Sequence, residues 1–92
     1  MARLSDEEVE ERLDAVEGWE REGAAIVKEF DNGDFKGSVD FVNRITPLAE
    51  EMNHHPDLEI SWSTVKVKLC TDIEGGLTTN DFDLAAKIDS SA

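Results

Sequence analysis

The sequence has few of the residues on which several common kinds of site depend. Its single cysteine, Cys70, excludes an internal disulfide and any metal site built from several cysteines. Cys70 lies in an apolar run, so we expect a buried and unreactive thiol. No apolar stretch approaches the roughly 18 residues that a membrane-spanning helix needs, and residues 1–5 lack the apolar core of a signal peptide. We therefore expect a cytoplasmic protein with no membrane partner.

Basic residues are also scarce. The 92 residues include 9 Lys and Arg against 22 Asp and Glu, for a formal net charge of −13. Such a charge repels phosphate backbones and anionic lipid surfaces, so we expect no direct binding of nucleic acid. Hydrophobic residues make up 39% of the chain, which is typical of a folded globule. The length suits a single domain, residues 1–92.

Two helices are predicted from their first turns. Ser5 and Glu8 have the spacing of a capping box and begin a helix that we expect to end at Gly18. Thr78 and Asp81 have the same spacing and begin the last helix of the chain. The apolar residues of that last helix lie on one face and are expected to point inward: Leu84, Ala85 and Ile88.

A longer helix is predicted over residues 35–53. Its apolar residues recur on one helical face, as Phe41, Ile45, Leu48 and Met52. Pro47 is discordant, because a proline inside a helix removes a hydrogen bond and clashes with the preceding turn. The sequence therefore predicts either a kink at Pro47 or a helix that starts late. Pro56 ends the element and favours an extended backbone at the residue before it.

Four short segments have the composition of strands, and they occur in two pairs. They are predicted over residues 19–22, 25–30, 58–62 and 65–71. The resulting order of elements is α-β-β-α-β-β-α. Paired strands with short connections are typical of an antiparallel sheet, so we predict an α+β domain in which helices pack on one face of a four-stranded antiparallel sheet.

The only two histidines of the chain are adjacent. His54 and His55 follow the predicted long helix and precede Pro56. Imidazole can accept and donate a proton near neutral pH, so two rings that converge on one ligand would form a site for proton transfer. The alternative is a favourable cationic end to the helix, and the pair alone does not decide between the two. With one cysteine and no spaced histidines, we expect no metal site.

Three carboxylates are candidate partners of the histidines. Glu51 precedes His54 by three residues, so the two share a helical face. A carboxylate there could accept two parallel hydrogen bonds from an amide-like edge of a ligand. Asp81 could orient a histidine, act as a helix cap, or do both, and Asp72 is similarly ambiguous. For each acid the alternative is one more solvated charge on an acidic surface.

Taken together, these residues resemble the pterin-4a-carbinolamine dehydratase family. The family pattern is E-x-x-x-H-H-P, then an aromatic residue, an alternating strand that ends in Thr-His, and G-L-[ST]-x-x-D before the last helix. The resemblance covers roughly residues 34–88. It implies a small α+β protein, a homodimer or homotetramer, that takes a pterin as its substrate and needs no other cofactor. The implied reaction is loss of water from a 4a-hydroxytetrahydropterin to give the quinonoid dihydropterin, which recycles the cofactor of aromatic amino-acid hydroxylases.

The resemblance also implies roles for particular residues. It implies a catalytic set of His54, His55 and Asp81. It implies substrate contacts for Glu51, Trp62, Thr71 and Asp72.

Asp72 is a departure from the family pattern, which usually has a third histidine at that position. An ionised carboxylate accepts hydrogen bonds but donates none. We therefore expect Asp72 to accept a hydrogen bond from His54 or His55, or to bind substrate. The departure keeps a second function open, in which the chain retains the fold, has little or no activity and acts as a dimerisation or regulatory interaction module, as some family members do.

Overall fold

A computed structural model describes residues 3–92. The helices are α1 (Asp6–Leu13), α2 (Phe35–Met52) and α3 (Thr79–Ser91), and the strands are β1 (Glu20–Glu22), β2 (Ala25–Asp31), β3 (Asp57–Ser61) and β4 (Thr64–Leu69). A short 3-10 helix, Asp72–Glu74, lies between β4 and α3. The predicted α+β class and the order α-β-β-α-β-β-α are confirmed.

The four strands form one antiparallel sheet in the order β1-β2-β4-β3, which leaves β1 and β3 at the edges. Alternation along β4 separates the two faces of the sheet. Val65, Val67 and Leu69 are fully buried on the face that the helices cover. Lys66 and Lys68 point the other way and lie near the carboxylate of Glu22. The helices therefore pack on one face of the sheet, as predicted, and the other face is polar.

Helix α1 is shorter than predicted. The capping box is formed, because Ser5 Oγ accepts the N–H of Glu8 and the Glu8 carboxylate accepts the N–H of Ser5. The backbone hydrogen bond from Ser5 is the main cause that holds the pKa of Glu8 below its ordinary value. The predicted end at Gly18 is wrong. The helix ends at Leu13, because the next hydrogen bonds span only three residues, as in Val16 N–H to the Leu13 carbonyl.

Helix α2 begins where Asp34 caps it, since the Asp34 carboxylate accepts the N–H of Gly37 at 2.7 Å. The predicted late start is therefore wrong. The helix includes Pro47 and continues to Met52, so a kink at Pro47 stays a prediction. Within residues 3–92 no helix, α2 included, is long and apolar enough to cross a membrane.

The core lies between the helices and the sheet, and Phe41 of α2 is at its centre. Phe41 is fully buried and its ring lies 4.7 Å from that of Phe30. We expect Phe41→Ala to lower the free energy of unfolding by about 3–5 kcal/mol, because the lost contacts leave a cavity. Phe35→Ala is the matched control, since that ring is 58% exposed. Urea unfolding followed by circular dichroism compares the two, and equal losses would contradict this account of the core.

Candidate active site

The end of α2 sets the positions of both histidines. Asn53 has a left-handed backbone, with φ of 50°, and its N–H donates to the Glu50 carbonyl. The N–H of His54 reaches back to the Ala49 carbonyl at 3.0 Å. This arrangement satisfies the last carbonyls of a helix, and Asn is one of the few residues besides Gly that adopt it readily. The chain reverses there, and the two imidazole rings contact different carboxylates.

His54 contacts a fully buried carboxylate. Its Nε2 lies 2.5 Å from Oδ1 of Asp81, whose side chain has no exposure, while the His54 side chain is 12% exposed. The second oxygen of Asp81 accepts the Thr71 hydroxyl at 2.8 Å and the backbone N–H of Thr78 at 2.9 Å. The structure therefore brings together three of the predicted site residues, His54, Thr71 and Asp81, from three different parts of the chain.

The capping position of Asp81 explains how α3 takes part in this cluster. Thr78 and Asp81 form the predicted capping box at the start of α3. The sequence allows Asp81 to cap the helix, to orient a histidine, or to do both. In the structure the same carboxylate does both, since one oxygen faces the helix end and the other faces His54.

His55 contacts a different, solvent-exposed carboxylate. Its Nε2 lies 2.5 Å from Oε2 of Glu50, with the two side chains 57% and 65% exposed. The pair borders a small cleft of about 170 Å³ between α2 and β3. That cleft is lined by Ile45, Thr46, Ala49, Glu50, His55, Pro56 and Leu58. The cleft has one histidine and one carboxylate at its edge, and its volume is below the roughly 300–1,000 Å³ that is typical of ligand pockets.

Glu50 is the site residue that the sequence reasoning missed. The family pattern has three residues between its carboxylate and the histidine pair, and that spacing falls on Glu50 rather than Glu51. Counting this interval would have found it. Glu51 is exposed on α2. It borders a groove that is also lined by Leu48 of α2 and Lys87 of α3. The structure does not join Glu51 to either imidazole.

Asp72 does not take the predicted position beside the histidines. Its Oδ1 accepts a hydrogen bond from Cys70 Sγ at 3.1 Å. Side chains alternate along an extended segment, so Cys70 and Asp72 share one side and Thr71 faces the other. The expected hydrogen bond from His54 or His55 to Asp72 is therefore not formed among residues 3–92, where Asp81 and Glu50 contact the two rings. Binding of substrate by Asp72 stays a prediction.

Cys70 is half-buried rather than fully buried as predicted. Burial, followed by the carboxylate of Asp72, raises its pKa to about 11. At pH 8 the thiolate fraction is then about 100-fold lower than for a thiol at its ordinary pKa. We expect iodoacetamide to alkylate Cys70 correspondingly slowly, with a rate that keeps rising until about pH 11. Asp72→Asn should react faster, and a wild-type rate that levels off by pH 9 would contradict the assignment.

Trp62 is the predicted site residue that lies farthest from the cluster. It occupies the turn between β3 and β4, with φ of 51°, and is 72% exposed. Its carbonyl accepts the hydroxyl of Ser38, in the first turn of α2, at 2.7 Å. His54 follows the opposite end of that helix, and the rise from Ser38 to Met52 is about 21 Å. Within one chain, Trp62 and His54 therefore cannot contact the same small ligand.

Comparison with known proteins identifies the family to which this arrangement belongs. The family model described as "Pterin 4 alpha carbinolamine dehydratase" matches residues 2–91. The chain belongs to this family. It is 48% identical over 87 residues to a protein of Roseiflexus sp. (strain RS-1), covering 95% of this chain and 94% of that one. It is 44% identical over 89 residues to one of Sulfurisphaera tokodaii, covering 97% and 96%. Both carry the name "Putative pterin-4-alpha-carbinolamine dehydratase".

Two solved structures share the fold of the family. A transcriptional coactivator/pterin dehydratase from Brucella melitensis superposes with a TM-score of 0.93 at 33% identity, over 98% of each chain. A pterin dehydratase-like protein identified as a RuBisCO assembly factor in the alpha-carboxysome gives a TM-score of 0.64 at 21% identity, over 80% of this chain and 86% of that one. At that identity only the fold is shared. A shared fold does not settle activity, which must be argued from the site.

Proposed function

We propose that the protein is a hydro-lyase that converts a 4a-hydroxytetrahydropterin to the quinonoid dihydropterin and water. Membership of the family supports a pterin substrate. The observation that carries the proposal is the His54–Asp81 contact of 2.5 Å, in which a buried carboxylate holds an imidazole that remains slightly exposed. Such a pair is suited to proton transfer, because the carboxylate fixes the ring while the other ring nitrogen stays available.

The reaction requires two proton transfers and no change of oxidation state. The bond between C4a and its hydroxyl oxygen breaks, and the oxygen leaves as water after it gains a proton. The ring nitrogen N5 loses its proton, and a double bond forms between N5 and C4a. A general acid at the leaving oxygen and a general base at N5 each contribute roughly 10²- to 10⁴-fold to the rate.

In this proposal the two histidines divide the work. His54 exchanges a proton with the pterin through Nδ1, because Asp81 occupies Nε2. His55 is the second proton carrier, and its exposure lets it exchange protons with water. Asp81 acts through His54, so it is a positioning residue. Glu50 orients His55. It also takes the substrate contact that the resemblance implied for Glu51, because the family spacing falls on Glu50.

Stopped-flow ultraviolet absorbance tests the proposal directly. The wild-type protein should accelerate decay of a 4a-hydroxytetrahydropterin, and the acceleration should saturate with substrate. Asp72→His, which restores the family residue, is a useful companion because Asp72 contacts neither imidazole. We expect that variant to change the rate by less than about threefold. Decay at the same rate with and without protein would reject the hydro-lyase.

The second function from the sequence, a dimerisation or regulatory module, differs from the enzyme in what it binds. It is favoured by the Brucella melitensis relative, whose description includes a coactivator. An interaction module that has lost the activity should show no saturable quenching of tryptophan fluorescence by a reduced pterin, whereas the dehydratase should show it. We expect saturable binding that is weakened by His54→Gln.

We further propose a homo-oligomer in which β3 pairs with its copy. β3 is an edge strand. Ile60 within it is 45% exposed, and Trp62 directly after it is 72% exposed. Antiparallel pairing of two such edges would bring Trp62 of one copy beside Pro56 of the other, and so close to its histidines. Light scattering should report a dimer or tetramer that Trp62→Ala weakens, and a wild-type monomer at 100 µM would exclude the pairing.

A further inference from the structure

Two threonine hydroxyls lie near Asp81, and the second of them, that of Thr78, has no role in the proposed mechanism. Thr78 Oγ1 lies 2.9 Å from Thr71 Oγ1, and Thr71 Oγ1 lies 2.8 Å from Asp81 Oδ2. Thr78 and Asp81 have no exposed surface. If the buried Asp81 carboxylate moved, the groups that donate hydrogen bonds to it would be left unpaired. These contacts therefore constrain one another strongly.

The direction of the hydrogen bonds follows from counting protons. A threonine hydroxyl has one proton to donate. Thr71 gives its proton to Asp81, so the contact between the two threonines must be donated by Thr78. The hydrogen bonds therefore run from Thr78 to Thr71 and from Thr71 to Asp81. The backbone N–H of Thr78 is a second donor to the same Asp81 oxygen, at 2.9 Å.

The other oxygen of Asp81 is left for His54 alone. A carboxylate can only accept, so Nε2 of His54 carries the proton in the 2.5 Å contact. Nδ1 has no hydrogen-bond partner among residues 3–92. The neutral ring is then an acceptor at Nδ1, and the charged ring is a donor there.

The loop between β4 and α3 fixes the two threonines relative to each other. The N–H of Thr71 donates to the Gly76 carbonyl at 2.9 Å, and the N–H of Gly76 donates back to Thr71 at 3.4 Å. This bridge closes a six-residue loop. Leu77, the next residue after the loop, is buried, with 2% of its surface exposed. By contrast, Glu50, which contacts His55, has a side chain that is 65% exposed.

We propose that Thr78 and Thr71 are positioning residues, whose hydroxyls hold Asp81 as the acceptor of the His54 Nε2 proton and so keep Nδ1 as the nitrogen that exchanges protons with substrate. The inference rests on the proposed function for its catalytic consequence. Its structural half, the protonation of Nε2 in the free protein, stands independently of any activity.

Nitrogen-15 NMR of the imidazole rings in the free wild-type protein tests that structural half. The spectrum of the neutral His54 ring should show the proton on Nε2. A proton on Nδ1 would overturn the proposal, whatever the activity of the protein.

Thr71→Val removes the hydroxyl at nearly constant shape, and Thr71→Ser retains it. We expect Thr71→Val to give a mixture of the two His54 tautomers and to lower kcat about 10-fold or more with KM little changed. Thr71→Ser should restore both readouts, and Thr78→Val should produce a smaller change of the same kind. Thr64→Val, at the distant start of β4, is the matched control and should change neither.

The outcomes separate the two proposals. A wild-type tautomer and kcat in folded Thr71→Val would overturn the role of the threonines. A wild-type protein without dehydratase activity would reject the proposed function, while the tautomer spectra of wild type and Thr71→Ser would still decide whether the hydroxyls position His54.

Discussion

His54→Gln is expected to lower kcat for the dehydration by about 10²- to 10⁴-fold, the range that one general acid–base group contributes. The glutamine amide can place an N–H donor near the position of imidazole Nε2, so the buried Asp81 keeps a partner. The amide has no group that can take up and release a proton at neutral pH. The substitution therefore removes the chemistry and retains the hydrogen bond.

The matched control for that experiment is His55→Gln. His55 and its partner Glu50 are more than half exposed, so water can replace either group in part. We expect a smaller loss of kcat for His55→Gln than for His54→Gln, with the stability of both proteins close to wild type. Equal, small losses would mean that neither ring transfers a proton in the slow step. A larger loss for His55→Gln would assign the principal role to the exposed histidine.

Asp81→Ala is expected to lower the free energy of unfolding by about 3–5 kcal/mol. Three donors lose their acceptor: Nε2 of His54, the hydroxyl of Thr71 and the N–H of Thr78. Each unsatisfied buried donor costs about 1–3 kcal/mol, and the Thr78 N–H is the half of the α3 capping box that depends on the Asp81 carboxylate. The free energy of unfolding of a domain is about 5–15 kcal/mol in total, so the variant should be close to unfolding at 37 °C.

Asp83→Ala provides the control, because Asp83 is an exposed acid two residues further along the same helix. We expect a change within about 0.5 kcal/mol for that variant. Urea unfolding at pH 7 measures both, and Asp81→Asn shows how much of the loss comes from shape rather than charge. If Asp81→Ala and Asp83→Ala unfolded at the same urea concentration, the hydrogen-bonded cluster would not contribute to stability as described.

Local patterns predicted the parts of the fold that depend on neighbouring residues. Both capping boxes begin their helices as predicted, and the alternation of Val65, Val67 and Leu69 in the sequence matches the buried face of β4. The signals work because capping and alternation depend on residues within a few positions of each other. The end of α1 was missed for the converse reason. Gly18 is a plausible stop, but the chain leaves the helix earlier to bury Trp19 against the sheet.

The candidate site could be predicted from the sequence only in part. His54, Thr71 and Asp81 lie together in the structure, but the partners of the histidines depend on how the chain reverses at Asn53. Glu50 was missed although the three-residue interval before the histidine pair falls on it, and its contact with His55 is made across that reversal. The position of Trp62 likewise depends on which end of α2 its hairpin reaches, and sequence spacing does not carry that information.

The most direct measurement of the central claim is a structure of the protein with a bound reduced pterin that lacks the 4a-hydroxyl. The account predicts that N5 or C4a of the pterin lies about 3 Å from Nδ1 of His54, directly or through one water, while Nε2 stays on Asp81. A pterin whose reacting atoms lie away from His54, with Nδ1 facing protein or bulk solvent, would contradict the account.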